Sequence, residues 1–212
     1  MRKNRGDNYI VSGGDDKSVF VWDLRTLKPV NYILASSASI TSIDVFEDSS
    51  VILTTSDEGY SRVWDVHNGE CLRTVTLSNT PPLTQGRFTK TSDVGLFGSL
   101  NGKITLFNIR TGRVIKEYHG HQNTDYILDL GFTFDVQGDI SGFMSGSEDG
   151  YLHLFEFDEA TPRESLLLST ERQTLDLMVT EKGRAFVSGR STSGVMRVDI
   201  EVGEGRKEER AR

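Results

Sequence analysis

Three stretches of this chain carry residue types that do chemistry when their spacing is right. The first, Gly98-Ser-Leu-Asn-Gly102-Lys103-Ile104, has the glycines and lysine of a phosphate-cradling loop. That loop needs four residues between the glycines, and a Ser or Thr after the lysine to reach a metal. Here there are three residues and an isoleucine. The second is a set of donors, His119, His121 and His153 with Asp149, of the kind that holds zinc. It has no cysteine near it, and no metal is expected. The third, Ser188-Gly-Arg-Ser-Thr-Ser-Gly194, lacks the Gly-x-Ser-x-Gly order of a nucleophile elbow. No base, nucleophile and oxyanion donor converge anywhere, so the expectation is a non-enzyme with no catalytic residue and no cofactor.

The elements that hold these stretches repeat. Val11 to Asp23, Leu53 to Asp65, Leu96 to Asn108, Met144 to Glu156 and Val187 to Asp199 align with one another. Their equivalent positions Trp22, Trp64, Phe107, Phe155 and Val198 are separated by 42, 43, 48 and 43 residues. A period in the forties built from strand-like pieces is the signature of propeller blades. Each segment reads as a hairpin, with an apolar strand, a polar turn at Asp16, Glu58-Gly59, Asn101-Gly102 or Asp149-Gly150, and an alternating strand. Second turns at Asn68-Gly69 and Thr111-Gly112 introduce further strands. The expectation is an all-β fold of four-stranded antiparallel blades, with three, four, four, four and three strands, about four and a half blades in all. Approximate blade bounds are 8–34, 35–76, 77–119, 120–170 and 171–200. They follow a flexible basic segment at 1–7 and precede a charged, disordered tail at 201–212. The long interval is assigned to the stretch Phe134 to Gly142. The recurring aromatics are expected in the core.

Composition narrows the partners. The chain has 212 residues and a formal charge of −7, and residues 7–200 carry 17 basic against 27 acidic side chains. Such a body repels a phosphate backbone, so no direct nucleic-acid binding is expected; proteins or peptides with basic contact residues are. The lone Cys71 rules out an internal disulfide framework and points to a reducing, intracellular compartment. No run approaches the ~18 apolar residues of a membrane helix, and the basic start leads into no signal core, so no membrane association is expected.

Gly120-His121, Trp22-Asp23 and Trp64-Asp65 resemble the landmarks of the WD-repeat β-propeller family, over roughly residues 8–200. Members usually close seven blades, so the resemblance implies an incomplete ring: a truncated chain first, otherwise an open propeller completed by a partner, or a small ring. The stretch Trp64 to Pro82, with Tyr118 to Tyr126 and Ser145 to Asp149, is most similar to the WD-repeat adaptors of COMPASS-type histone methyltransferases. Next come the MAP-kinase-organiser and spliceosomal WD-repeat scaffolds, through Ser12-Gly-Gly, Ser99-Leu100 and Tyr126-x-Leu128-Asp129. The first resemblance implies a scaffold subunit of a chromatin complex, in the nucleus ahead of the cytoplasm.

The resemblance also implies site residues. Thr41, Thr84 and Ile127 fall at the channel mouth where the adaptors bind arginine peptides. Asp129, Asp15 and Asp57 replace the aromatics that would sandwich the guanidinium, so that mechanism is not carried over. The substitutions suggest instead a partner-binding rim of Asp15, Asp57, Asp129 and Glu148, with Leu100 and Tyr126 beside it, reading basic side chains. Trp22, Asp23, Trp64 and Asp65 take structural WD-repeat roles. His121 is expected to hydrogen-bond Asp149 and Ser145, with Phe155 in place of tryptophan.

Overall fold

The structure is a computed structural model that describes residues 2–3, 9–46, 50–77, 81–135, 137–168, 175–180, 184–189 and 195–199. The tail at 201–212 and the turn at 190–194 lie outside the described residues, among which there is no helix. The chain forms two compact units, Met1–Glu117 and Tyr118–Arg212.

Four-stranded antiparallel sheets follow one another in chain order. The first holds β1 (Arg2–Lys3), β2 (Tyr9–Gly13), β3 (Ser18–Asp23) and β4 (Lys28–Leu34). The second holds β5 (Ile40–Val45), β6 (Val51–Ser56), β7 (Tyr60–Asp65) and β8 (Cys71–Thr76). The third holds β9 (Leu83–Phe88), β10 (Val94–Ser99), β11 (Lys103–Asn108) and β12 (Arg113–Tyr118). In the second unit, β13 (Leu130–Phe134), β14 (Ile140–Gly146), β15 (Tyr151–Glu156) and β16 (Glu164–Leu167) make a sheet. A three-stranded sheet, β17 (Leu175–Thr180), β18 (Arg184–Gly189) and β19 (Val195–Asp199), follows.

The architecture is that of an incomplete WD-repeat β-propeller, and the register shows the repeat directly. Trp22, Trp64, Phe107, Phe155 and Val198 stand opposite Ile10, Ile52, Gly95, Phe143 and Ala185 of the preceding strand. Two expectations need correction. The first sheet has four strands rather than three, because Arg2 and Lys3 pair with Val11 and Ile10. A basic dipeptide has no apolar alternation to announce it, yet it satisfies ladder groups that β2 would otherwise leave open at its edge. The extra residues of the long interval are also misplaced at 134–142. The β13–β14 connection spans only 135–139, as short as the 89–93 connection of the third sheet. The additional length sits at 119–129, eleven residues before β13 against six at 77–82 and five at 35–39.

Alternation along each strand puts one apolar face on each side of a sheet. Val19, Val21 and Ile33 pack on Ile40, Ile52, Trp64 and Val66 of the second sheet. On the opposite face of β6 and β7, Leu53 and Val63 join Leu83, Phe97 and Phe107 of the third. Each such side chain withdrawn from water stabilises by about 1.5–3 kcal/mol. The other face of the first sheet carries an aromatic row, Trp22–Phe20–Tyr32, with ring centroids 5.6 and 5.0 Å apart. In the second unit Phe143 stacks on Phe155 at 4.8 Å and meets Tyr118 edge-on at 4.9 Å, and all three are buried.

Gly142, on β14 opposite Glu156, has no room for a side chain: a Cβ there would lie 2.2 Å from the Phe155 carbonyl oxygen. Gly142→Ala is therefore expected to lower stability by about 3 kcal/mol through forced displacement of a core strand. Gly14→Ala, with nothing within 4 Å of the added Cβ, should stay within about 0.5 kcal/mol. Urea unfolding of the two variants compares them; equal midpoints would contradict the packing described.

Candidate functional site

Side chains at the repeated positions of the first three sheets are held within their own sheets or turns. Trp22 Nε1 donates to Ser12 Oγ, and Trp64 Nε1 donates to Thr54 Oγ1, both at 2.9 Å, so each indole is satisfied inside its own sheet. The acidic partner of each tryptophan closes the next turn. Asp65 accepts from the amides of His67 and Asn68, and Asp23 from the Arg25 amide and guanidinium. Asn108 does the same for Thr111 in the third sheet. These side chains mimic a backbone turn, which is why short polar residues occupy the position.

The turns between the two middle strands differ from sheet to sheet, and in the second, third and fourth sheets the turn ties down the segment that enters the sheet. In the second sheet, Glu58 accepts from Ser36 Oγ at 2.8 Å, from Ser37 Oγ and from Arg62, whose Nη1 also reaches the Ala35 carbonyl at 2.9 Å. Burial alone would raise the Glu58 carboxyl, but the bonds from Ser37, Arg62 and Ser36 outweigh it and hold its pKa at about 2. In the third sheet the tie is made by backbone, the Leu100 amide donating to the Pro82 carbonyl at 3.1 Å.

In the second unit the tie is stronger, and it holds the long segment before β13. Glu148 Oε1 accepts from the amides of Thr124, Asp125 and Tyr126 at 2.8, 2.8 and 3.0 Å, and Oε2 accepts from Thr124 Oγ1 at 2.7 Å. The Glu148 amide donates in turn to the Gln122 carbonyl, and Ser147 Oγ accepts from the Gln122 amide. Burial opposes ionisation of Glu148, but the Asp125 amide, the Thr124 hydroxyl and amide, and the Tyr126 amide prevail and lower its pKa. Below the loop His121, Asn123 and Leu128 are buried. Above it Tyr126 is 42% and Ile127 57% exposed, with Asp125 beside them.

The anticipated rim residues are therefore not alike. Asp15 and Asp57 are exposed turn residues of the first unit, and Leu100, at the same turn position, is half-buried. Asp129 is half-buried and accepts from the Leu130 amide. Glu148 is 8% exposed, so its carboxylate organises the loop and does not face a partner. Thr84 is buried, and Thr41 Oγ1 lies 2.9 Å from Thr55 Oγ1, which also bonds Ser42. Ile127, adjacent to Tyr126, gains most in prominence; the repeat spacing shows that length is added between Phe107 and Phe155 but not that it falls here.

His121 is a correction. Its Nδ1 has no hydrogen-bond partner, and Ser145 Oγ donates to the Gly146 carbonyl instead. Phe155 has no N–H to orient Ser145 as tryptophan orients Ser12, and it meets the His121 ring edge-on at 6.4 Å. Burial, with His153 and His119 nearby, drives the His121 pKa down to about 4 against the opposing pull of Asp149 and Glu148. Asp149 itself accepts from the Tyr151 amide.

The family model described as "WD domain, G-beta repeat" matches residues 2–23, 27–65 and 112–156. The chain belongs to the WD-repeat family. An uncharacterized WD repeat-containing protein of Schizosaccharomyces pombe is 31% identical over 139 residues, 64% of this chain and 43% of that protein. COMPASS component SWD3 of Saccharomyces cerevisiae is 25% identical over 167 residues, 73% of this chain and 53% of that one. The WD repeat domain-containing protein 83 homolog of Dictyostelium discoideum is 27% identical over 181 residues, 72% and 54%. The chain spans about half the length of these relatives. Among the described residues no helix is long and apolar enough to cross a membrane.

Glu148→Ala removes both acceptor oxygens and leaves the amides of Thr124, Asp125 and Tyr126 without this partner. It should cost about 2 kcal/mol and open the loop; hydrogen exchange at the Thr124, Asp125 and Tyr126 amides reads this, and unchanged protection would contradict it. Acid should destabilise the fold in two steps. Between pH 6.5 and about 4 the unfolded chain binds a proton that folded His121 refuses, so stability falls as pH drops through that window. Below the ordinary value of 4.5, towards about 2, protonation of Glu58 removes more. Urea midpoints across pH should show both steps, and His121→Gln should flatten the upper one.

Proposed function

We propose that this chain is a non-enzymatic scaffold subunit of a multi-protein complex, and that the complex is a nuclear chromatin-modifying one of the COMPASS kind. The observation that carries the scaffold reading is the loop held by Glu148. A rigid backbone presents an apolar pair, Tyr126 and Ile127, next to the exposed Asp125. Apolar side chains fixed in this way bind without a large ordering cost. The acidic neighbour selects a partner segment in which Lys or Arg adjoins an apolar residue. Asp15 and Asp57, exposed on the first unit, are further places for basic side chains. The assignment to chromatin is supported by the similarity to a COMPASS component and by the resemblances at Trp64 to Pro82 and Ser145 to Asp149. A scaffold for MAP-kinase signalling or the spliceosome is the second reading, supported by Tyr126-x-Leu128-Asp129.

Affinity purification of the tagged full-length protein with mass spectrometry tests both levels. Recovery of a methyltransferase catalytic subunit is expected, and Tyr126→Ala with Ile127→Ala should reduce it about tenfold or more if the pair is a binding anchor. Recovery of kinases or splicing particles instead would replace the chromatin reading. Capture indifferent to the double substitution would remove the loop from the interface.

A further inference from the structure

The expectation of basic partners came from the overall charge, but the first unit contains a local exception. Two adjoining hollows of about 220 and 300 Å³ lie between the second and third sheets. They share Arg73, Ile109 and Arg110 as common lining, so they form one groove. The floor is apolar: Val63, Val75, Phe107 and Ile109 are all at most 9% exposed and belong to the core that joins the two sheets. One wall is a continuous run of β8, Leu72 to Thr76. The other is formed by the turns at Ser92-Asp93 and Ile109 to Gly112.

The charge of this groove is opposite to that of the chain. Arg73 and Arg110 are exposed at its middle, where the two hollows meet. Arg110 Nε lies 3.3 Å from Asp93 Oδ2, an exposed pair of little energetic consequence. Among the described residues Arg73 has no ion pair. One carboxylate and two guanidiniums leave a net positive site in a chain of charge −7.

We propose that this groove binds an extended peptide segment carrying an Asp or Glu side chain next to an aliphatic residue. The aliphatic group would occupy the apolar floor, and the carboxylate would sit between the forks of Arg73 and Arg110, geometry suited to two-pronged recognition. The strand-like wall favours an extended occupant. β8 is the outermost strand of its sheet, and among the described residues its other backbone edge pairs with no strand and can add hydrogen bonds. The nearby Asp93 disfavours a dianion such as a phosphate group more than a single carboxylate. This site is separate from the Glu148 loop in residues, in charge and in the partner it selects.

Fluorescence anisotropy with the purified full chain and a labelled peptide, Gly-Ser-Asp-Leu-Glu-Ile-Ser-Gly, tests it. Two comparison peptides replace Asp and Glu by Asn and Gln, or by two lysines. The acidic peptide should bind about tenfold or more tightly than either, and lose affinity with added salt. Arg73→Glu with Arg110→Glu should abolish that preference. Arg73→Gln with Arg110→Gln gives the milder loss should charge reversal disturb the fold. Tyr126→Ala with Ile127→Ala should leave peptide binding unchanged, separating this result from the fate of the proposed scaffold contacts. Equal affinity for the acidic and lysine peptides, or an arginine-free groove that binds as well as the native one, overturns the proposal.

Discussion

A four-stranded antiparallel sheet with apolar residues on both faces is unstable alone, and that constraint governs this molecule. Val19 and Val21 need Ile52 and Trp64; Leu53 and Val63 need Phe97 and Phe107. The second sheet is thus a shared wall between two cores, and its strands can vary in sequence provided the alternation survives. The tryptophans show how the polar atoms are kept from undermining this. Their rings add area to the core while their nitrogens bond to Ser12 or Thr54 in the same sheet. The third sheet uses Phe107 and needs no such partner.

Much of the fold was legible because alternation and turn chemistry are local properties. The aromatic positions recur at the same register in each hairpin, and the small or polar residues after them close turns. What escaped was either too short or too dependent on neighbours. Arg2 and Lys3 form a strand because β2 has an open edge, a circumstance outside their own sequence. The inserted length could be counted from the spacing of Phe107 and Phe155 but not located, since 119–129 and 134–142 are both polar and turn-rich. Its position required knowing where β13 begins.

The candidate site was legible only in composition. Acidic residues at turn positions suggested a negatively charged surface, but the same residue type serves two purposes here. Asp15 and Asp57 remain exposed, whereas Glu148 is withdrawn into a set of amide donors and lends the loop its rigidity. Which role a carboxylate takes depends on whether unpaired N–H groups converge on it, and that depends on the path of a segment some twenty residues away. The His121 surroundings teach a similar lesson. Substituting phenylalanine for tryptophan at 155 removed a donor, and the serine and histidine that would have shared its network are wired differently.

The ties at Glu58 and Glu148 also bear on how a repetitive chain avoids confusing its own parts. Hairpins of such similar shape invite mispairing while they assemble, because hydrophobic complementarity alone scarcely separates a correct neighbour from an incorrect one. An Arg-and-Ser clasp around one turn cannot substitute for a cluster of amides around another, so an entering segment that meets the wrong hairpin leaves ionised oxygen atoms unsolvated. Local wiring thereby acts as an address label, written in polar atoms on modules whose apolar surfaces are nearly interchangeable.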